Sequence, residues 1–176
     1  MQEGAFNFKE LNSQGLKAED TLLEMLKCNA LTSIHKCLIL FNQDDKHKPT
    51  QWEKFNQKYQ IDIVKMTRDH TYYMCGLYFL TGVRHLPFST DKVIREHLTT
   101  LFRIWAQNLI VTQCNELIEG GSATGEIINQ VRENFYEDVA TIRPQFLNII
   151  ESAQISDNYA SSAIAPSDGS LYESML

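Results

Sequence analysis

The sequence predicts an all-α fold, an antiparallel bundle of about four long helices with a C-terminal elbow and a short final helix. Three observations predict it. Apolar residues recur at three- and four-residue steps over long stretches, the period of an amphipathic helix. No run alternates apolar and polar residues as a half-buried strand does. The periodic stretches are divided by short turn-forming segments at 44–49, 82–87 and 120–121, and connections that short favour antiparallel neighbours.

Residues 1–15 show no period and read as a tail, leaving 16–176 as one helical domain. From Ala18 onward, Leu22, Leu23, Leu26, Ala30, Leu31, Ile34, Leu38 and Ile39 form the first stripe, with Asp20 or Thr21 as the cap. A second helix starts near Thr50 and turns Trp52, Phe55, Tyr59, Ile63, Met66, His70, Tyr73, Leu77 and Leu80 inward; Gly82 and Pro87 close it. The third, over 90–119, takes its cap from Ser89-Thr90-Asp91 and its stripe from Val93, Ile94, Leu98, Leu101, Phe102, Trp105, Leu109 and Leu117. The fourth starts near Thr124 and carries Ile127, Ile128, Val131, Phe135, Val139, Ile142, Phe146, Leu147 and Ile150. Pro144 kinks it, or divides it into two pieces with the proline in a first turn.

With 176 residues, 43% hydrophobic and 22% charged, the chain suits a single core hiding roughly 70% of its unfolded surface. A net charge of −6 argues against nucleic acid or an anionic membrane as partner, since phosphate binding needs clustered Lys and Arg. Lys46-His47-Lys48, beside Asp44-Asp45, reads as a solvated turn. No apolar run approaches the roughly 20 residues of a membrane span, so a soluble protein is expected. Cys28, Cys37, Cys75 and Cys114 are widely spaced and read as buried free thiols of a reducing compartment.

The chemistry-bearing residues each have a plainer structural reading. His70, with Asp62 and Asp69 near it and Tyr72 and Tyr73 following, has the residue types of a proton-transfer pair, yet a hydrogen-bonded core histidine is the commoner case. Gly120-Gly121-Ser122-Ala123-Thr124-Gly125 lacks the preceding strand and the Lys-Ser/Thr of a phosphate loop and reads as an interhelical turn. Cys28, His35 and Cys37 do not share a zinc spacing. Glu24, Glu116, Glu133 and Glu137 fall on exposed-looking faces, no serine has a triad setting, and Trp105 with Tyr72, Tyr73, Tyr78 and Tyr136 reads as core. No catalytic, cofactor-binding or metal-binding residue is assigned.

The last third carries a resemblance. Ile142-Arg143, Ile149-Ile150-Glu151, Asp157, Ser162 and Asp168-Gly169-x-Leu171-Tyr172-Glu173 follow, without a gap, the spacing of the C-terminal helical domain of the acyl-CoA oxidases. Ile61-Asp62-Ile63-Val64-Lys65 with Asp69-His70-Thr71-Tyr72-Tyr73, and Leu101-Phe102-Arg103-Ile104-Trp105-Ala106, are similar to two further runs of that family. The resemblance covers roughly residues 17–176. Ala165-Pro166-Ser167 departs from the family's Gly-Arg, and Pro144 stands where the family has no proline.

The resemblance implies an FAD-dependent, peroxisomal oxidation of acyl-CoA to trans-2-enoyl-CoA with hydrogen peroxide formed. It also implies that the flavin is held mainly by a middle β-domain and an N-terminal helical domain, and that the glutamate base lies in a Glu-Gly-Glu-Asn-type segment. This chain holds neither, so it is expected not to catalyse or hold FAD alone, and to have as partner the oxidase's catalytic domains or a second copy of itself. The alternative is a non-catalytic helical interaction module. Ser174-Met175-Leu176 distantly resembles a peroxisomal Ser-Lys-Leu address; if it is not one, the cytosol is the expected location.

Overall fold

A computed structural model of the chain describes Phe8 and residues 13–42 and 50–152, and every regular element among them is helical. The chain divides into two compact units, Met1–Ala140 and Thr141–Leu176.

In the first unit, α1 (Ser13–Lys17) turns into α2 (Glu19–Asn42) at Ala18, so helix starts before the expected Asp20 or Thr21 cap, and Asp20 instead pairs with Arg84. Phe8, from the stretch expected to be a tail, is fully buried. The inward face of α2 is Leu22, Met25, Leu26, Asn29, Ala30, Ser33 and Cys37, which leaves the expected Leu31, Leu38 and Ile39 on the outside. Polar Asn29 and Ser33 hold core positions in their place.

The expected second helix is not continuous. Thr50 and Glu53 form a capping box at the start of α3 (Gln51–Glu53): Thr50 Oγ1 accepts from the Glu53 amide at 3.2 Å, and the Glu53 carboxylate accepts from the Thr50 amide at 2.7 Å. A π-helical turn, Lys54–Lys58, follows and ends at Tyr59, before α4 (Gln60–Arg84) begins. An i→i+5 turn carries an extra residue and rotates everything upstream about the axis. Trp52 and Phe55 therefore face solvent, while Tyr59 is buried against Phe41 at a ring separation of 5.7 Å.

Gly82 does not end α4; the helix runs to Arg84. Its buried residues, Asp69, Gly76, Leu80 and Val83, define a face that excludes His70, which is exposed. Arg95 covers the end of the helix, donating to the carbonyls of Val83, Leu86 and Pro87 at 3.0–3.3 Å.

Asp91 caps α5 (Lys92–Thr112) by accepting from the Val93 amide at 2.8 Å. Val93 and Ile94 of the expected stripe are exposed; Thr100, Phe102, Ala106, Gln107 and Ile110 are the buried set. The expected single helix to 119 breaks at Gln113 and Cys114, and α6 (Asn115–Glu119) resumes it. Gly121 has φ 71°, where only glycine is unstrained, and a Cβ on Gly120 would stand 2.8 Å from the Glu116 carbonyl oxygen. This turn needs both glycines, and it delivers the chain to α7 (Gly125–Ile142).

The cross-helix pairs give the directions. Asp20 meets Arg84, Ser33 meets Asp69 and Cys37 meets Asp62, so α4 descends as α2 ascends. Val83 meets Arg95, Phe79 meets Phe102 with ring centroids 5.8 Å apart, and Lys65 meets Glu116, so α5 and α6 ascend again. α7 returns from the glycine turn to place Asp138 beside Arg103 of α5. Leu22, Met25, Leu26, Leu80, Phe102, Ala106, Ile110, Leu117, Ile127, Ile128 and Val131 form the core between them.

In the second unit, Pro144 sits in the first turn of a 3₁₀ segment, Arg143–Gln145, that leads into α8 (Phe146–Ser152). The expected helix is thus divided with its proline where no amide donor is required. Phe146, Leu147 and Ile150, expected in the buried stripe, are exposed. The elbow and final helix, with Asp157, Ser162 and residues 168–176, lie outside the described residues, as does the 44–49 turn.

Gly76 of α4 packs tightly against α2 and α5: an added Cβ would meet the Trp105 ring at 3.1 Å, Leu23 at 3.3 Å and Leu26 at 3.4 Å. Gly76→Val should destabilise the chain by about 2 kcal/mol through overpacking. Gly82→Ala, with nothing within 4 Å of the new Cβ, should instead stabilise it by about 0.5–1 kcal/mol through helix propensity. Urea unfolding of the two variants checks both signs.

Candidate functional site

The buried carboxylates among the described residues are Asp69, Glu116 and Asp138, and they fall in two clusters between helices. Asp138 occupies a core position on α7, one turn beyond Asn134 and two beyond Val131, with 1% of its side chain exposed. Arg103 of α5 grips it with two hydrogen bonds, Nε to Oδ2 and Nη2 to Oδ1, each 3.0 Å. Gln107, one turn further along α5, donates to Oδ2 at 3.1 Å, and Lys17 of α1 lies 3.2 Å from Oδ1. The other arm of Arg103 reaches Glu19 at the start of α2 at 3.1 Å. Burial pushes the Asp138 carboxyl up, but the Arg103 bonds and charge, with Gln107 and Lys17, outweigh it and hold it below the usual carboxylate range. Burial likewise works against the Arg103 charge, and Asp138 and Glu19 reverse it, so the guanidinium is held above its ordinary value.

The second cluster ties α2 to α4 and α6. Ser33 donates to Asp69 Oδ2 at 2.5 Å, and Lys65 Nζ lies between Asp69 at 3.4 Å and Glu116 at 2.5 Å. Lys36 of α2 reaches Glu116 at 3.6 Å and also bonds Glu119. Burial pushes Glu116 up, and the hydrogen bond and charge of Lys65 together with Lys36 outweigh that, leaving it below its ordinary value. The Glu119 bond holds the Lys36 ammonium above its ordinary value.

A general acid or base works best when it titrates near the working pH. Asp138 and Glu116 are displaced the other way and stay ionised, each carboxylate bound to the cations that neutralise it. What this arrangement does chemically is fix helices relative to one another.

The residues singled out from sequence are not drawn together. His70 is exposed, and Asp62 is exposed with its backbone carbonyl accepting from Cys37 Sγ at 3.4 Å. Asp69 alone of that group is buried, because adjacent helical residues point about 100° apart. Of the four free cysteines only Cys37 is buried, and burial, helped by Asp62, pushes its thiol up; Cys28 and Cys114 are half-buried and Cys75 is exposed, correcting the expectation of four buried thiols. Glu24 pairs with Lys27 at 3.0 Å, and Glu133 and Glu137 are exposed as expected, whereas Glu116 is the opposite of exposed. Trp105 packs on the core with Tyr73, while Tyr78 and Tyr136 face solvent and Tyr72 is half-buried. The 120–125 segment is an interhelical turn. Among the described residues no three His, Cys, Asp or Glu side chains are placed to hold a metal ion, and no helix is long and apolar enough to cross a membrane.

The residues that build the two clusters were missed by reading apolar stripes. A signal was present: Ser33, Asp69, Gln107 and Asp138 are polar residues in register with their helices' apolar faces.

Comparison with known proteins explains a bundle of this kind. The family model described as acyl-CoA oxidase matches residues 18–176. This chain belongs to the acyl-CoA oxidase family. It is 23% identical over 176 residues to peroxisomal acyl-coenzyme A oxidase 1 of Cavia porcellus, covering 96% of this chain and 26% of that protein. It is 24% identical over 157 residues to the protein of the same name from Phascolarctos cinereus, covering 89% of this chain and 23% of that one. In three dimensions it matches Arabidopsis thaliana acyl-CoA oxidase 1 with a TM-score of 0.81 at 16% identity, over 97% of this chain and 25% of that chain. This member of the acyl-CoA oxidase family thus spans about a quarter of the length of the oxidases it matches, in their helical fold.

Asp138 offers a direct test of the clamp. Asp138→Asn leaves Arg103 half-buried without its carboxylate and should cost about 3 kcal/mol in urea unfolding at pH 7. Because Asp138 and Glu116 have lowered folded-state values, their stabilisation is present above the unfolded carboxylate range, near pH 4, and is lost as pH falls through the lower folded values. Acid unfolding of Asp138→Asn should therefore be shallower with pH than that of the parent, a difference that circular dichroism at stepped pH records.

Proposed function

We propose that this chain is the C-terminal helical domain of a peroxisomal acyl-CoA oxidase-like flavoprotein and supports, rather than performs, the family reaction. That reaction is the FAD-dependent oxidation of acyl-CoA to trans-2-enoyl-CoA with formation of hydrogen peroxide in fatty acid β-oxidation. The observation that carries the reading is one of extent: almost the whole chain aligns with only about a quarter of each oxidase, in sequence and in fold. The charge clusters agree with it. Their cations and carboxylates are engaged in holding α1, α2, α4, α5, α6 and α7 together, which leaves them unsuited to proton transfer.

FAD is an extended dinucleotide with a three-ring flavin and needs a continuous cleft. Three hollows among the described residues, of about 560, 350 and 270 Å³, are open to solvent rather than enclosed. In this reading FAD is held by the other domains of the full-length oxidase, and this chain alone holds none. The partner in this reading is the catalytic part of an oxidase or a second copy of the chain. The exposed Leu31, Leu38 and Ile39 on one side of α2 are an apolar face suited to either. The relatives named peroxisomal support that location for this chain.

Purified chain should be colourless, with no flavin absorbance near 450 nm and no peroxide formed on adding acyl-CoA of any length. A yellow protein that turns over acyl-CoA would overturn the reading.

A further inference from the structure

The turn between α4 and α5 forms a hollow of about 560 Å³, the size of a small-molecule pocket. Its wall carries the cations Arg84, Lys92 and Arg95, with His85, in a chain whose net charge is −6. Leu86 and Phe88 supply apolar surface, and Phe88 is completely exposed at the rim.

Arg95 distinguishes this wall from a solvated basic patch. It is half-buried, and three of its bonds go to the carbonyls of Val83, Leu86 and Pro87. Carbonyls orient a guanidinium without neutralising it. Among the described residues it has no carboxylate partner, so a positive charge is held at a fixed place with part of its five-donor fork uncommitted. The other two cations have only exposed partners: Arg84 pairs with Asp20 at 2.8 Å, and Lys92 with Glu96 at 3.5 Å. Exposed pairs of this kind contribute little and exchange readily for a ligand of higher charge.

We propose that this hollow binds a small phosphate monoester, with the phosphate between Arg95, Arg84 and Lys92 and a flat apolar body against Phe88 and Leu86. A dianion suits three converging cations better than a carboxylate does. The exposed aromatic ring has no packing role that accounts for it. The site does not depend on the oxidase reading.

The test uses the full chain and three probes, inorganic phosphate, phenyl phosphate and phenol, titrated by ¹⁵N-detected NMR. Phenyl phosphate should bind with shifts centred on residues 84–95, roughly tenfold tighter than phosphate, and phenol should not bind. Lys92→Glu places a carboxylate on an exposed first-turn position and should weaken phenyl phosphate at least tenfold with the helix content unchanged. Phe88→Ala should bring phenyl phosphate down to the affinity of inorganic phosphate. The proposal is overturned if phenyl phosphate causes no shifts at about 5 mM, if its shifts map elsewhere, or if Lys92→Glu binds it as well as the parent. Arg95 is left intact because its carbonyl bonds hold the turn.

Discussion

The first unit depends on the carboxylate of Asp138. A charge 1% exposed is tolerable in a protein interior only when its oxygens are filled by donors and its charge is matched. Arg103 does both with a planar fork, Gln107 adds a neutral donor and Lys17 a second cation, and through Glu19 the same guanidinium reaches α2. Four helices meet there. Hydrophobic stripes fit one another in several rotations and shifts, whereas a two-bond Arg–Asp contact fits in one. The contribution of such a pair to net stability is modest compared with an apolar replacement, and its larger effect is on which arrangement is adopted.

The Ser33–Asp69–Lys65–Glu116–Lys36 cluster does the same for α2, α4 and α6. It has a further consequence for the interruption at Gln113 and Cys114. Glu116, the second residue of α6 after that break, reaches both Lys65 and Lys36. The glycine pair after it then returns the chain at once, with φ 71° at Gly121 accessible to glycine at no cost. Local backbone irregularities thus lie where the polar contacts require them.

A supporting role within an oxidase-type protein agrees with this distribution of charge. Ionised groups in a reactive centre are commonly left partly unsatisfied, so that substrate or proton completes them; here Asp138 and Glu116 are completed by Lys and Arg of the chain itself, while Asp69 Oδ1 has Arg68 at 3.7 Å and no hydrogen bond. The apolar surface left on α2, and on Ile61 and Val64 of α4, is outward-facing.

The sequence by itself determined the all-helical class, several of the helix ends and the family, because helical periodicity, the Thr50 and Asp91 caps, the Gly120-Gly121 turn and the Pro144 break are local properties of the chain. It also carried the motif spacing that marks an oxidase C-terminal domain. Which face of each helix is buried was decided only in the tertiary structure. The π turn rotated Trp52 and Phe55 outward, and Ser33, Asp69, Glu116 and Asp138 took interior positions that a hydrophobicity pattern assigns to solvent. The physical reason is that a buried charge is stable only beside its partner, and those partners stand on other helices, 35 residues away for Asp138 and Arg103 and 51 for Glu116 and Lys65.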